Sequence, residues 1–76
     1  MRVPWFQMTV LEAIMRIIDA GRRPTIREIM KTVGHHSTTY VRHAIRELRS
    51  KGLVSFEDNR AATIRPRVRF IPERDL

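Results

Sequence analysis

The stretch from residue 24 to residue 54 constrains the fold most, because it carries start and stop signals for two consecutive helices. Thr25 can cap the first helix while the Glu28 side chain reaches back to it, a T-x-x-E capping box, and Gly34 supplies the left-handed residue that ends it. A second serine-capped, glycine-terminated segment follows over residues 38–51. Two helices joined by so short a turn, with an apolar strand beyond them, predict a helix-turn-helix.

The second helix of this pair has two chemically different faces. At 100° per residue, its apolar side chains converge on one stripe, which predicts a buried side. Thr39, His43 and Arg46 lie opposite that stripe, Arg42 lies on its flank, and the turn from Ser37 to Tyr40 projects from the helix start. Hydroxyl, imidazole and guanidinium groups on an exposed helix face can read the edges of DNA bases.

An earlier helix is predicted over residues 4–20, where large apolar side chains recur at helical spacing. Two starts are open, one at Pro4 and one at a second capping box that begins at Thr9. We favour the earlier start because it puts Trp5 on the apolar stripe. Trp5 and Phe6 are therefore assigned to core packing or to shielding the end of the domain.

The helix predicted over residues 26–33 is short and amphipathic. In a helix-turn-helix this element crosses the DNA backbone, so its basic side and the loop before it are candidates for phosphate contacts. A solvated basic face is the open alternative for each of these residues. The candidates are Arg22, Arg23, Arg27 and Lys31.

Residues 53–57 alternate apolar and polar side chains like a half-buried strand, residues 58–60 form a turn cluster, and residues 62–65 can return as the partner strand. The predicted fold is therefore mainly α with a small β-hairpin: a winged helix-turn-helix of three helices and a two-stranded wing. Arg60 at the wing tip is placed to contact a DNA backbone or a minor groove.

We divide the chain into a winged helix-turn-helix DNA-binding domain, residues 1–66, and an extended basic tail, residues 67–76. Alternation of apolar residues and arginines continues past Pro66, but proline cannot donate to a sheet, so an edge strand and an extended tail are both open. The arginines there either add phosphate affinity or keep an apolar edge soluble. Residues 72–76 are expected to be frayed.

Composition supports a nucleic-acid partner. The 76 residues include 15 Lys and Arg against 8 Asp and Glu, for a net charge of +7 and a pI near 11.5. This balance is typical of a chain that meets phosphates, although basic charge can also simply keep a small protein soluble.

Other functional classes are disfavoured by what the sequence lacks. Without cysteine, and with no long apolar run or secretory signal, we expect a soluble cytoplasmic protein with no membrane partner. No nucleophile and base pair stands out, and the histidines lack carboxylate or thiolate companions, so we expect no enzyme, no cofactor and no metal site. We interpret the adjacent His35 and His36 as solvent-facing or phosphate-facing.

From about residue 7 to residue 66 the chain resembles the N-terminal DNA-binding domain of the LexA repressors, winged-helix proteins of the bacterial DNA-damage response. The residues that carry the resemblance are Gly21, Pro24, Thr25, Glu28 and Ile29, then Val33, Gly34 and Ser37, then Ala44 and Leu48, then Lys51 to Val54 and Ala62 to Pro66.

The resemblance implies base reading at the start of the second helix of the pair, and the helical wheel adds Arg46. The resulting base-reading set is Ser37, Thr39, Tyr40, Arg42, His43 and Arg46. Where well-known family members have acidic side chains this chain has Arg42 and His43, so we expect a different operator. The family's self-cleaving C-terminal domain, which also dimerises those repressors, is not among these 76 residues, so we carry over neither property.

We therefore predict a sequence-specific binder of double-stranded DNA that regulates transcription, with the helix over residues 38–51 in the major groove. It is expected to bind either as a homodimer that forms on DNA and is weak in solution, or together with a tandem partner. The alternative is a winged-helix interaction module that binds a protein partner, either RNA polymerase or another regulator. An exposed apolar patch built from Trp5, Phe6 and Phe70 would favour that alternative.

Overall fold

Helices and strands account for most of the computed structural model, which describes residues 2–35, 37–57, 60–68 and 73–75. His36, Asp58, Asn59, Arg69, Phe70, Pro72 and Leu76, on which some of the predictions fall, lie outside the described residues. In chain order the elements of the described part are β1 (Arg2–Pro4), α1 (Trp5–Asp19), α2 (Ile26–Val33), α3 (Thr38–Ser50), β2 (Val54–Glu57), β3 (Arg60–Pro66) and β4 (Glu73–Asp75).

Helix α2 begins and ends where its capping signals predict. The Thr25 hydroxyl accepts a hydrogen bond from the Glu28 N–H at 3.1 Å, and Gly34 ends the helix with a φ of 73°. The second half of the predicted capping box is wrong. The Thr25 N–H donates to the Arg23 carbonyl at 2.9 Å, and the Glu28 carboxylate lies 3.3 Å from the Arg22 guanidinium. Because both groups have other partners, the capping box is only half formed.

Helix α1 starts at Trp5 with Pro4 as its N-cap, which confirms the earlier of the two predicted starts. Thr9 lies within the helix, and its hydroxyl donates to the Trp5 carbonyl at 3.1 Å. Core packing by Trp5 is wrong, since its side chain is 60% exposed. Trp5 faces solvent although the core extends past it to Val3, which is fully buried. Phe6 is half-buried against the core, as predicted.

The core lies where α1 packs against α2, α3 and the wing. Buried residues recur at helical spacing along α1 and α3, and α2 contributes Ile29 with partly buried neighbours, so each helix presents one apolar face inward. The largest fully buried side chains include Met8, Leu11, Ile14, Ile17, Ile29, Val41, Leu48, Val54 and Ile64. Lys51, just after α3, donates to the Gln7 side chain and so ties the end of that helix to α1.

Strands β2 and β3 form the predicted wing as an antiparallel pair with a register shift between Ser55 and Glu57. The Arg49 guanidinium lies 4.1 Å from the centroid of the Phe56 ring, a cation–π contact that joins the end of α3 to the wing. Arg60 is the first residue of β3 and pairs with Glu57, next to the predicted wing tip. The mainly α fold with a β-hairpin is confirmed.

The end of the described chain departs from prediction. Residues 73–75 form β4, which pairs in parallel with β1 from Arg2 opposite Glu73 to Pro4 opposite Asp75. Fraying was the wrong expectation for this strand because the chain returns to its own N-terminal strand, whose backbone groups supply partners. The Arg67 N–H also donates to the Leu53 carbonyl at 2.8 Å. The division between a domain and a tail at residue 66 stays a prediction.

Removing the cap of α3 is expected to destabilise the fold moderately. The Ser37 hydroxyl accepts a hydrogen bond from the Tyr40 N–H at 3.2 Å, and Ser37→Ala should lower the free energy of unfolding by about 1 kcal/mol. Urea denaturation followed by circular dichroism measures this change. Ser50→Ala, an exposed change at the other end of α3, is the matched control and should stay within about 0.5 kcal/mol of the parent. Equal losses would contradict the capping role.

Candidate nucleic-acid interface

The structure places the predicted base-reading residues on the outer side of α3. The opposite side of this helix is buried through Val41, Ala44, Ile45 and Leu48. Since these four residues fix the rotation of the helix against the core, the remaining face is turned to solvent. All six candidates are exposed: Ser37, Thr39, Tyr40, Arg42, His43 and Arg46.

An ion pair on this face joins neighbouring turns of α3. The His43 Nε2 atom lies 3.9 Å from a Glu47 carboxylate oxygen, with the two side chains 75% and 41% exposed. The pair is ionic only when the imidazole is protonated, and an exposed pair of this kind contributes little to stability. His43 can therefore exchange this contact for one with a base or a phosphate.

Three aromatic rings meet at the start of α3. The His35 ring stacks on the Tyr40 ring, with centroids 4.9 Å apart and planes 21° apart. Phe6 of α1 lies 4.8 Å from Tyr40 in an edge-to-face arrangement and 5.2 Å from His35. The His35 Nδ1 atom accepts a hydrogen bond from the Ser37 N–H at 3.2 Å. We call these three residues the aromatic cluster.

The aromatic cluster was not predicted from the sequence. His35 was expected to face solvent or a phosphate, but its side chain is half-buried beside the rings of Phe6 and Tyr40. The only signal in the sequence was an aromatic residue near the start of each of two helices and another ring in the turn. Nothing in that pattern shows that Phe6 lies beside Tyr40, because their contact depends on how α1 packs against α3.

The basic residues of α2 border a shallow groove beside the start of α3. Arg27 and Lys31 are exposed and line this groove of about 610 Å³. Its wall on the side of α3 includes Thr38, and its remaining lining residues are Ile26, Met30, Gly34 and His35. The structure therefore brings two of the phosphate-contact candidates close to the first turn of α3.

The other three phosphate-contact candidates lie outside α2. Arg23 is exposed in the loop before α2. Arg22 is exposed too, but its guanidinium lies 3.3 Å from the Glu28 carboxylate, so contact with a phosphate requires exchange of that partner. Arg60 is described only by its backbone, at the start of β3.

Two further findings concern metal-ligand clusters and membrane-spanning helices in the described part of the chain. Within the described ranges, no three His, Asp or Glu side chains come together as ligands for a metal ion. None of the helices in that part of the chain combines the length and the apolar character needed to cross a membrane.

Comparison with known proteins identifies a family over the residues that form the helices and most of the wing. The family model of the LexA DNA binding domain matches residues 5–63, from the first residue of α1 into β3. A LexA repressor of Mycobacteroides abscessus is 39% identical over 59 residues, which cover 76% of this chain and 26% of that repressor. The chain thus spans about a quarter of the length of this relative. No solved structure matches significantly.

The match takes in all three helices and most of the wing, the elements that form the winged helix-turn-helix. This protein therefore belongs to the LexA DNA-binding domain family.

Proposed function

We propose that this chain binds double-stranded DNA in a sequence-specific manner and regulates transcription, with α3 in the major groove and the wing against the backbone. The observation that carries the proposal is the division of α3 into a buried apolar side and an exposed polar and basic side. An α-helix fits the major groove, where each base pair presents a distinct pattern of donors, acceptors and methyl groups. The exposed side chains of α3 have the chemistry to read that pattern.

Charge outside α3 supplies the sequence-independent part of the affinity. Contacts to phosphates fix the register of a protein on the duplex, while contacts to base edges specify the sequence. Arg27 and Lys31 border the groove beside the start of α3, so a DNA strand that follows this groove would bring phosphates to both. The proposed backbone contacts are Arg22, Arg23, Arg27, Lys31 and Arg60.

Repression and dimerisation extend the proposal. The relative from Mycobacteroides abscessus is a repressor, and a domain bound over a promoter can exclude polymerase. One copy of a small domain buries roughly 600–1,000 Å² on DNA, so two copies on paired half-sites would bind more tightly. We therefore propose that this chain acts as a homodimer on DNA. Light scattering on duplexes with one and two half-sites tests this, and full affinity of one copy for one half-site would contradict it.

Selection of bound duplexes from a random pool tests base reading directly, because it returns a preferred motif for a sequence-specific binder. With that motif in hand, Arg42→Ala should abolish discrimination at one base pair, a loss of about 1–3 kcal/mol against the preferred base. Arg27→Ala is the comparison, since a phosphate contact should weaken preferred and scrambled duplexes alike. Fluorescence titration measures both. If Arg42→Ala weakened every sequence equally, the assignment of this residue to the groove would be wrong.

A second candidate function, docking on a protein partner such as RNA polymerase, is favoured by one observation. Trp5 is 60% exposed at the start of α1, and exposed large aromatic side chains are enriched at protein interfaces. A pull-down after nuclease treatment that is lost in Trp5→Ala would support this function. Loss of the captured protein on nuclease treatment would show that it was held through DNA.

A further inference from the structure

The aromatic cluster joins a residue of α1 and a residue of the turn to a proposed base-reading residue of α3. We propose that Phe6 and His35 are positioning residues that hold the Tyr40 ring ready for contact with DNA, without touching the DNA themselves. This inference rests on the proposed function, since Tyr40 reads bases only if α3 enters the groove.

The geometry of the rings supports a preformed Tyr40 conformation. One face of the Tyr40 ring is stacked on His35 at 4.9 Å, and Phe6 contacts it edge-to-face at 4.8 Å. Both arrangements are ones that aromatic pairs prefer. The Tyr40 side chain nevertheless stays 55% exposed. The ring is thus restrained by two neighbours and still accessible to a ligand.

The backbone at the start of α3 is tied to the same cluster. His35 Nδ1 accepts a hydrogen bond from the Ser37 N–H, and the Ser37 hydroxyl accepts one from the Tyr40 N–H, both at 3.2 Å. The Tyr40 ring in turn stacks on the His35 ring. This closed set of contacts couples the orientation of the ring to the first turn of α3.

Phe6 connects the aromatic cluster to the hydrophobic core. It lies on the first turn of α1 and packs against the hydrophobic core, so its position follows from how α1 is placed. A side chain that is ordered before binding loses less conformational entropy in the complex than a mobile one. The cluster should therefore raise the preference for the selected sequence rather than the affinity for phosphates.

Two substitutions at His35 separate its ring from its hydrogen-bond acceptor. In His35→Asn the amide oxygen can accept from the N–H two residues on, as in an Asx turn, but the ring is lost. In His35→Phe the ring is kept and the acceptor is lost. Thermal unfolding of each variant ensures that binding is measured on folded protein.

The measured quantity is the ratio of affinities for the selected and a scrambled duplex at fixed salt concentration. His35→Asn should lower this ratio by about 2- to 10-fold, the range that corresponds to the loss of an aromatic pair. His35→Phe should keep it within about twofold, and the dependence of affinity on salt should stay unchanged in both variants.

Several outcomes would overturn the inference. Clear sequence preference in the parent with an unchanged ratio in His35→Asn would sink the positioning role alone and leave the proposed function intact. No sequence preference in the parent would remove both. Nuclear Overhauser contacts between the His35 and Tyr40 ring protons in the free protein provide a measurement without DNA. Their absence from the parent spectrum would also overturn the inference, because the ring would then not be held.

Discussion

Replacing Leu48 by alanine is expected to lower the free energy of unfolding by about 2–5 kcal/mol, the range for truncating a fully buried leucine. Leu48 is 0% exposed and lies in the stripe with which α3 packs against the core. The substitution removes apolar contacts and leaves a cavity that the helix packing only partly closes. Domains of this size have a small core and marginal stability. Much of the population should therefore be unfolded at 37 °C.

Urea denaturation followed by circular dichroism measures the effect of Leu48→Ala. Leu48→Met is the matched control, because it nearly conserves volume and should cost less than about 1.5 kcal/mol. DNA affinity should fall in parallel with the folded fraction, since only a folded domain presents the outer face of α3. A loss near that of the methionine variant would mean that Leu48 is not central to the packing of α3.

Local signals predicted the helices well because the groups that set their ends are close together in sequence. The Thr25 hydroxyl meets an N–H three residues away, and Gly34 takes a left-handed conformation that other residues rarely adopt. Both effects act within one turn of helix. The packing face of α3 followed from periodicity for the same reason, and with it the predicted base-reading face.

Competition between partners limited the prediction at Glu28. Its carboxylate can reach either the Thr25 N–H or the Arg22 guanidinium. In the structure the N–H donates to the Arg23 carbonyl, and the carboxylate lies beside Arg22. The T-x-x-E motif predicts only the contact between Glu28 and the Thr25 N–H. It does not show that the loop before α2 brings Arg22 close to the carboxylate.

Contacts between distant parts of the chain were the ones missed. The pairing of β1 with β4 joins the two ends of the described chain, and neither segment has a strong strand pattern alone. Core packing was one of two roles that its spacing favoured for Trp5, but this side chain faces solvent while Val3 before it and Phe6 after it pack in or against the core. The aromatic cluster at the candidate site was invisible for the same reason, since Phe6 reaches Tyr40 only through tertiary packing.

The affinity for DNA is expected to fall steeply as salt concentration rises. Each phosphate neutralised by a lysine or arginine releases counterions, which contributes about 0.9 to the slope of log affinity against log salt. If all five proposed backbone cations of one copy meet phosphates on a duplex with a single half-site, the slope is about −4.5, and affinity falls roughly 500-fold between 50 and 200 mM salt. Fluorescence anisotropy with a labelled duplex measures the slope. A slope near zero would sink the proposed function, because binding without counterion release does not involve the phosphates.

Charge-matched variants then identify which cations contribute to that slope. Lys31→Gln should make the slope shallower by about 0.9, because Lys31 borders the groove beside the start of α3. Arg16→Gln is the control: Arg16 is also an exposed cation in the last turn of its helix, so both substitutions remove one positive charge from the same kind of helix position. Any effect of net charge or of the helix dipole is therefore shared between them. Equal changes in slope would show that binding depends on total charge rather than on the proposed interface, and a smaller change for Arg16→Gln places the DNA backbone against α2.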